Sequence, residues 1–428
     1  MDILKNKEFR KLMIGKASSI LGSNMQQFAL SLYVFAITGS ATQFASLLAI
    51  SILPRIFLSP IAGVFGDWFD RKKMIVRLDL LNGFLIGGYA IYFYLNNGLS
   101  LFSIYVLVIV LEIIEIFFGS AMIAVIPSIV EKEKLFDANS VRSVISSMAN
   151  IISPMLASAL YAILGLQIIL IVNAISFLLS AILEMSINIP KSNKEPEKID
   201  LHNFKRNFVE GLGILKRYKI LLNIIAFGVF LNFSLGPLMS VGVIFVIIDV
   251  LGGTEIQYGV VSAIFAGSML ISPMVLGKHA KKIEIGRLVI MTFFLISVLV
   301  LILSYFSSTG FVQNFATNTI PMILITSMFF LIGLFVTIVN IALGTMFQTI
   351  VPREFMGRVG SVMDIGLIAT IPIGQILFGV GIDMFSAGVT FAVVGIIVLG
   401  ATIYFRKPFL KVEEEEPCDL NFSQVKAE

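Results

Sequence analysis

The chain has 428 residues, 57% of them hydrophobic and 14% charged, with a mean hydropathy of +0.96 and a formal net charge of +4. A soluble domain carries about 25% charged residues, so these proportions exclude a water-soluble globule and place the chain in lipid. Two histidines (His202 and His279), one cysteine (Cys418) and no Gly-rich turn ending in Gly-Lys-Ser/Thr exclude a His-based nucleophile relay, a metal centre, a disulfide and an ATPase, so neither an enzyme nor a bound cofactor is expected.

Crossing about 30 Å of hydrocarbon takes roughly 20 apolar residues in a helix. Twelve runs are long enough, at 12–36, 42–66, 74–96, 100–125, 138–163, 165–188, 220–247, 256–276, 287–306, 319–347, 358–382 and 384–405. With the N-terminus inside, Lys5, Lys7, Arg10, Lys11, the 71–77 cluster, Lys132, Lys134, the 191–219 stretch, Lys278 to Arg287, Arg353, Arg358 and the tail share one side. None of the 31 Lys and Arg then falls in an outer loop. Lysine and arginine gather on the cytoplasmic side, so both termini are expected in the cytoplasm. The positive charge reports membrane orientation and calls for no nucleic-acid partner. The first run lacks the short core and small-residue cleavage site of a secretory signal and is expected to remain as the first span.

Taken in chain order, the first run carries Asn24, Gln27 and Ser31, polar residues that mark either a cavity face or a helix contact. The second carries Arg55, and the fourth Glu112 and Glu115. A charge at mid-bilayer costs about 2.5–3.5 kcal/mol even on insertion scales, so each needs a partner or a function. Arg55 and Glu112 lie at similar depth on helices running the same way, which allows them to pair. Glu112 and Glu115 are three apart and share a helix face. Two carboxylates this close repel in low dielectric, an arrangement that lets one carry a proton near neutral pH. Three uses compete for these residues: proton coupling, a static ion pair between helices 2 and 4, and recognition of a cationic substrate. Asp79, Glu184 and Asp364 lie nearer the cytoplasmic ends, where interfacial salt bridges and caps are the commoner role.

The polar stretch from Pro190 to Lys219 separates two six-helix halves, giving segments 1–188, 189–219, 220–405 and a tail 406–428. Phe204, Phe208, Leu212 and Leu215 line one face of the linker among Lys205, Arg206, Lys216 and Arg217, the pattern of a helix on an anionic lipid surface. The second half supplies Asn232, Thr337 and Asn340 as further cavity or packing residues. Weak internal repetition pairs Ser143 with Ser361 and Pro154 with Pro372 at one common shift, as in transporters built from repeated halves.

Between the second and third runs lies Gly63-Val-Phe-Gly66-Asp67-Trp-Phe-Asp70-Arg71-Lys72-Lys73. It resembles the helix 2–3 loop of the major facilitator superfamily, Gly-x-Leu-Ala-Asp-Arg-x-Gly-Arg-(Lys/Arg), with Trp68 and Asp70 departing from it. Leu53-Pro54, Val125-Ile126-Pro127, Ala138-Asn139-Ser140, Phe208-Glu210-Gly211 and Pro352 with Gly357-Arg358-Val359 extend the likeness to the drug-exporter branch that includes macrolide efflux proteins and the enterobactin exporter. The resemblance implies an all-α membrane protein with twelve transmembrane helices in two six-helix halves. It also implies an inner-gate latch of Gly63, Asp67, Arg71, Lys72, Gly357 and Arg358, in which Asp67 meets the amino end of helix 11. The expected activity is gradient-driven, alternating-access export of a bulky amphipathic small molecule, such as a macrolide-like drug or a siderophore, by proton antiport across a bacterial inner membrane. A small-molecule substrate and the bilayer are the expected partners, with no obligate protein partner. An importer or facilitator of a small metabolite, or a non-transporting membrane sensor, remains the alternative.

Overall fold

The computed structural model describes residues 2–68, 70–131, 134–189, 212–213, 219–280, 282–351 and 356–411. These residues form helices α1 (Lys7–Thr38), α2 (Ala41–Trp68), α3 (Arg71–Asn96), α4 (Leu101–Ile129), α5 (Leu135–Met185), α6 (Lys219–Pro237), α7 (Glu255–Ala280), α8 (Ile285–Phe306), α9 (Thr309–Val312), α10 (Thr319–Ile350), α11 (Met356–Met384) and α12 (Ala387–Lys411). Among the described residues eleven stretches are long and apolar enough to cross a bilayer. One of them, Asp137–Met185, has 49 residues, about twice what a single crossing takes. It is broken at Gly165, whose φ of 73° and ψ of 179° belong to a region only glycine occupies freely. Counted as two crossings, it brings the number to the expected twelve. The amphipathic linker face lies outside the described residues except for Leu212, as does the tail beyond Lys411.

Local sequence sets the helix ends. The Asn6 side chain accepts from the amides of Glu8 and Phe9 to start α1, and Gly39, at φ 61°, ends it. Asp70 stands where the superfamily has glycine, and here it is the N-cap of α3, accepting from the Lys73 amide at 3.2 Å. The departure at that position therefore serves helix initiation. Ser100 caps α4 by accepting from the Ser103 amide.

The chain divides into two compact units, Met1–Asp200 with Gly253–Ala263, and Leu201–Gly252 with Ile264–Glu428. In the first, α1 and α3 pack on α5 while α2 packs on α4. Small residues bring the backbones together: a Cβ on Gly15 would stand 2.9 Å from the Ser180 hydroxyl, and one on Gly83 would stand 2.7 Å from Leu178. Close contact of this kind replaces the hydrophobic drive that is absent between helices in lipid. In the second unit α12 packs on α8 and α11 on α6. Phe227 of α6 meets Phe293 edge-on with centroids 4.5 Å apart and touches Phe405 and Phe409 of α12. After Pro237 the helical ladder widens into two π-helical stretches, Leu238–Gly242 and Phe245–Val250. The large apolar side chains left outside, such as Phe57, Phe84, Phe102, Met274 and Tyr404, are suited to lipid tails.

Candidate functional site: a polar cavity in the first unit

Within the first unit α1 to α5 line an open cavity of about 310 Å³. A helix interior that faced only neighbours would be apolar, yet this wall carries Ser19, Ser23, Asn24, Gln27 and Ser31 from α1, Ser51 and Arg55 from α2, Asn82 from α3, Glu112 and Glu115 from α4, and Ser146, Asn150 and Asn173 from α5. Leu30, Leu47, Leu111 and Phe177 supply apolar surface between them. The volume is at the lower end for a small-molecule site, and the mixture of apolar wall and few convergent charges is what such sites use.

Two ion pairs cross the cavity. Arg55 Nε donates to Glu112 Oε1 at 2.8 Å, and its Nη2 lies 2.6 Å from the same oxygen. Both contacts fall on one carboxylate oxygen. Lys16 Nζ donates to Glu115 Oε1 at 3.0 Å and rests over the Phe118 ring, 4.3 Å from its centroid. Each carboxylate thus has its own cation from a different helix: the Arg55–Glu112 pairing that the sequence allows is present, and Glu115, three residues on, lies on Lys16. Lys16 was not among the expected site residues. It stands near the start of the first apolar run, where a lysine passes for an interfacial residue with its head in water.

Amide groups link the helices beside the charges. Asn24 Nδ2 donates to Asn150 Oδ1 at 2.9 Å, joining α1 to α5. Deeper in, Asn173 Nδ2 donates to Gln26 Oε1 at 2.7 Å, and the Ser176 hydroxyl donates to Asn173. Gln26 and Asn173, neither of them expected, tie the wall together, since an unpaired buried amide would be costly. Of the expected cavity residues, Asn24, Gln27 and Asn150 gather here with Arg55, Glu112 and Glu115. Asn232, Thr337 and Asn340 belong to the second unit and are not part of this wall. Asn232 is half-buried, Thr337 donates to the Gly333 carbonyl of its own helix, and Asn340 is exposed.

The expected latch is described only in part. Gly63 and Asp67 lie in the last turns of α2, and Gly357 and Arg358 at the start of α11, but their side chains are outside the described residues. Arg71 and Lys72, in the first turn of α3, are half-buried. Asp79 and Glu184 are buried by protein, and their carboxyl oxygens have no hydrogen-bond partner, so neither makes the salt bridge or cap expected of it. The side chain of Asp364 is outside the described residues.

The sequence profile of the Major Facilitator Superfamily matches residues 12–367. The chain is 25% identical over 399 residues to macrolide efflux protein A of Streptococcus pyogenes, covering 92% of this chain and 93% of that protein. It is 26% identical over 413 residues to the staphyloferrin A transporter of Staphylococcus aureus, covering 92% and 95%. A solved bacterial homologue of the iron transporter ferroportin, in an inward-facing state, superposes with a TM-score of 0.70 at 16% identity over 97% of this chain and all of that one, a likeness of fold.

Proposed function

The chain belongs to the Major Facilitator Superfamily, and on that premise we propose that it exports a bulky amphipathic small molecule by alternating access, driven by proton antiport across a bacterial inner membrane with both termini in the cytoplasm. The family makes it a multi-pass membrane transporter of small molecules and not an enzyme. The observation that carries the finer reading is the cavity of the first unit, in which hydroxyl and amide groups and two ion pairs stand against Leu and Phe. Such a lining accepts a ligand with both a greasy body and polar edges. Export, as opposed to uptake, rests on the likeness to macrolide efflux protein A.

Proton coupling rests on Glu112 and Glu115. Each carboxylate is paired with a cation of the wall, and a cationic or hydrogen-bond-donating part of the substrate and a proton can each take that cation's place, so substrate and proton compete for the same carboxylates, as antiport demands. The side of the membrane from which each is taken is set by the alternation, in which the residues Gly63, Asp67, Arg71, Lys72, Gly357 and Arg358 act as the inner latch. The test is efflux of ethidium from energised proteoliposomes, with a macrolide as competitor, before and after the proton gradient is collapsed. Gradient-dependent efflux slowed by the macrolide is the expected result. Efflux indifferent to the gradient removes the antiport, and absence of movement of either compound removes the amphipathic exporter.

A further inference from the structure

Asp79 on α3 and Glu184 at the end of α5 are 1% and 0% exposed, and none of their four carboxyl oxygens has a hydrogen-bond partner. They are not isolated from each other, since the charge of Asp79 acts on Glu184. Ser180, one turn before Glu184 and fully buried, turns its hydroxyl toward the Asp79 carboxyl but falls short of a well-formed bond. Gly15 of α1 closes over that hydroxyl from the other side. Asn82, one turn beyond Asp79, is also buried with its side-chain oxygen unpartnered.

The charged groups that act on this pocket from outside it come from two helices, α1 and α4. Lys16 of α1 acts on both Asp79 and Glu184, and Glu115 of α4 acts on Asp79. Arg55 of α2 is engaged with Glu112, and Lys11, further down α1, donates to the Ser186 carbonyl past the end of α5. Were all ionised, three carboxylates would face the one ammonium of Lys16, which already lies on Glu115. Buried charges without partners are the costliest arrangement a protein interior can hold. A metal is a poor remedy, because among the described residues no group of three or more His, Cys, Asp and Glu is placed to hold one. A proton is the ligand that fits.

We propose that Asp79 and Glu184, with Ser180 beside them, form a buried proton-holding site distinct from the ion pairs of the cavity, with Lys16 as the group that empties it. With Lys16 on Glu115, the site is protonated. When Lys16 leaves Glu115, its ammonium can neutralise a carboxylate of the pair instead. The O–H bond of one carboxyl then breaks, its electron pair stays on the oxygen beside Lys16, and the proton passes to water. Glu115, left without its cation, accepts a proton in turn. The existence of the site does not depend on the exporter reading, whereas its use in transport does.

The test is infrared absorption of protonated carboxyl groups, measured on the lipid-reconstituted full chain through a pH titration in light and heavy water. The wild-type protein is expected to keep a protonated-carboxyl band at neutral pH that is lost in Asp79→Asn/Glu184→Gln, is diminished in each single variant and remains in Glu112→Gln. A wild-type protein without that band at neutral pH, or a band that survives in the double variant, overturns the site. Should the double variant not fold, the two single variants decide, and an undiminished band in both is the refuting result. Loss of pH-gradient-driven accumulation in the double variant assigns the site to transport, and unchanged accumulation removes that role. A wild-type protein that accumulates nothing tells against the exporter reading while the infrared result still decides the site.

Discussion

Glu115→Gln and Glu112→Gln change the same atoms on neighbouring positions of one helix, yet their costs are expected to differ severalfold. Lys16 and Glu115 have 12% and 39% of their side chains exposed, and Arg55 and Glu112 have 51% and 17%. Removing one partner of a fully buried pair costs about 3–5 kcal/mol because the other charge is stranded. Solvent reaching Glu115 reduces that, so about 1–3 kcal/mol is expected for Glu115→Gln, with Lys16 left in a poorly hydrated place. The Phe118 ring recovers only about 0.5–1 kcal/mol of this through its face. Arg55, by contrast, keeps about half of its side chain exposed beside the cavity, and Glu112→Gln should cost less, about 0–1 kcal/mol. Lys16→Met together with Glu115→Gln removes both charges and should regain most of the loss. Thermal unfolding in lipid nanodiscs of the wild type, the singles and the double gives both the ranking and the coupling. Equal losses for the two glutamate variants, or a double no more stable than Glu115→Gln, would refute the assignment of Lys16 as a buried cation held by Glu115.

Further outcomes follow from single positions. Gly165→Ala places a Cβ on a backbone with φ 73° and ψ 179° and is expected to cost about 1–3 kcal/mol, seen as lower thermal stability; an unchanged unfolding temperature would show that the break in α5 tolerates a side chain. Asn173→Ala leaves Gln26 Oε1 unpaired between α1 and α5 and should cost about 0.6–2 kcal/mol, with Gln26→Ala adding little on top. Full additivity of the two would mean they do not act as a pair. Asp67→Asn is expected to slow turnover while substrate binding to the purified protein is kept, and loss of binding would count against a latch role.

The twelve crossings are legible in the chain because hydropathy over about 20 residues is a local quantity, and even the break near residue 164 shows as a seam between two runs. Counting residues inward from the outer ends puts Arg55 and Glu112 level, and they do touch. What stays hidden is lateral. Nothing in the order of residues reveals that Gly15 lies against Ser180, or that Asp79 and Glu184 are buried by protein where their positions near the helix ends suggest exposed salt bridges or caps. Lys16 is hidden for the same reason, since its partner lies 99 residues away on another helix. That Glu115 takes its cation from α1 likewise depends on which helices face α4, a matter of packing and not of spacing.

The amide contact between Asn24 and Asn150 has a bearing on selectivity. An amide presents donor and acceptor side by side, so any guest carrying a carbonyl, hydroxyl or amine can take the place of either partner and return what it displaces. Breaking the contact costs about 1 kcal/mol net, and a visiting polar group refunds a similar amount. The wall therefore does not demand one pattern of substituents. If the cavity is the substrate site of the proposed exporter, it would discriminate weakly by chemistry and mainly by bulk, as a sieve does, and would tolerate structurally unrelated compounds more readily than capture one tightly.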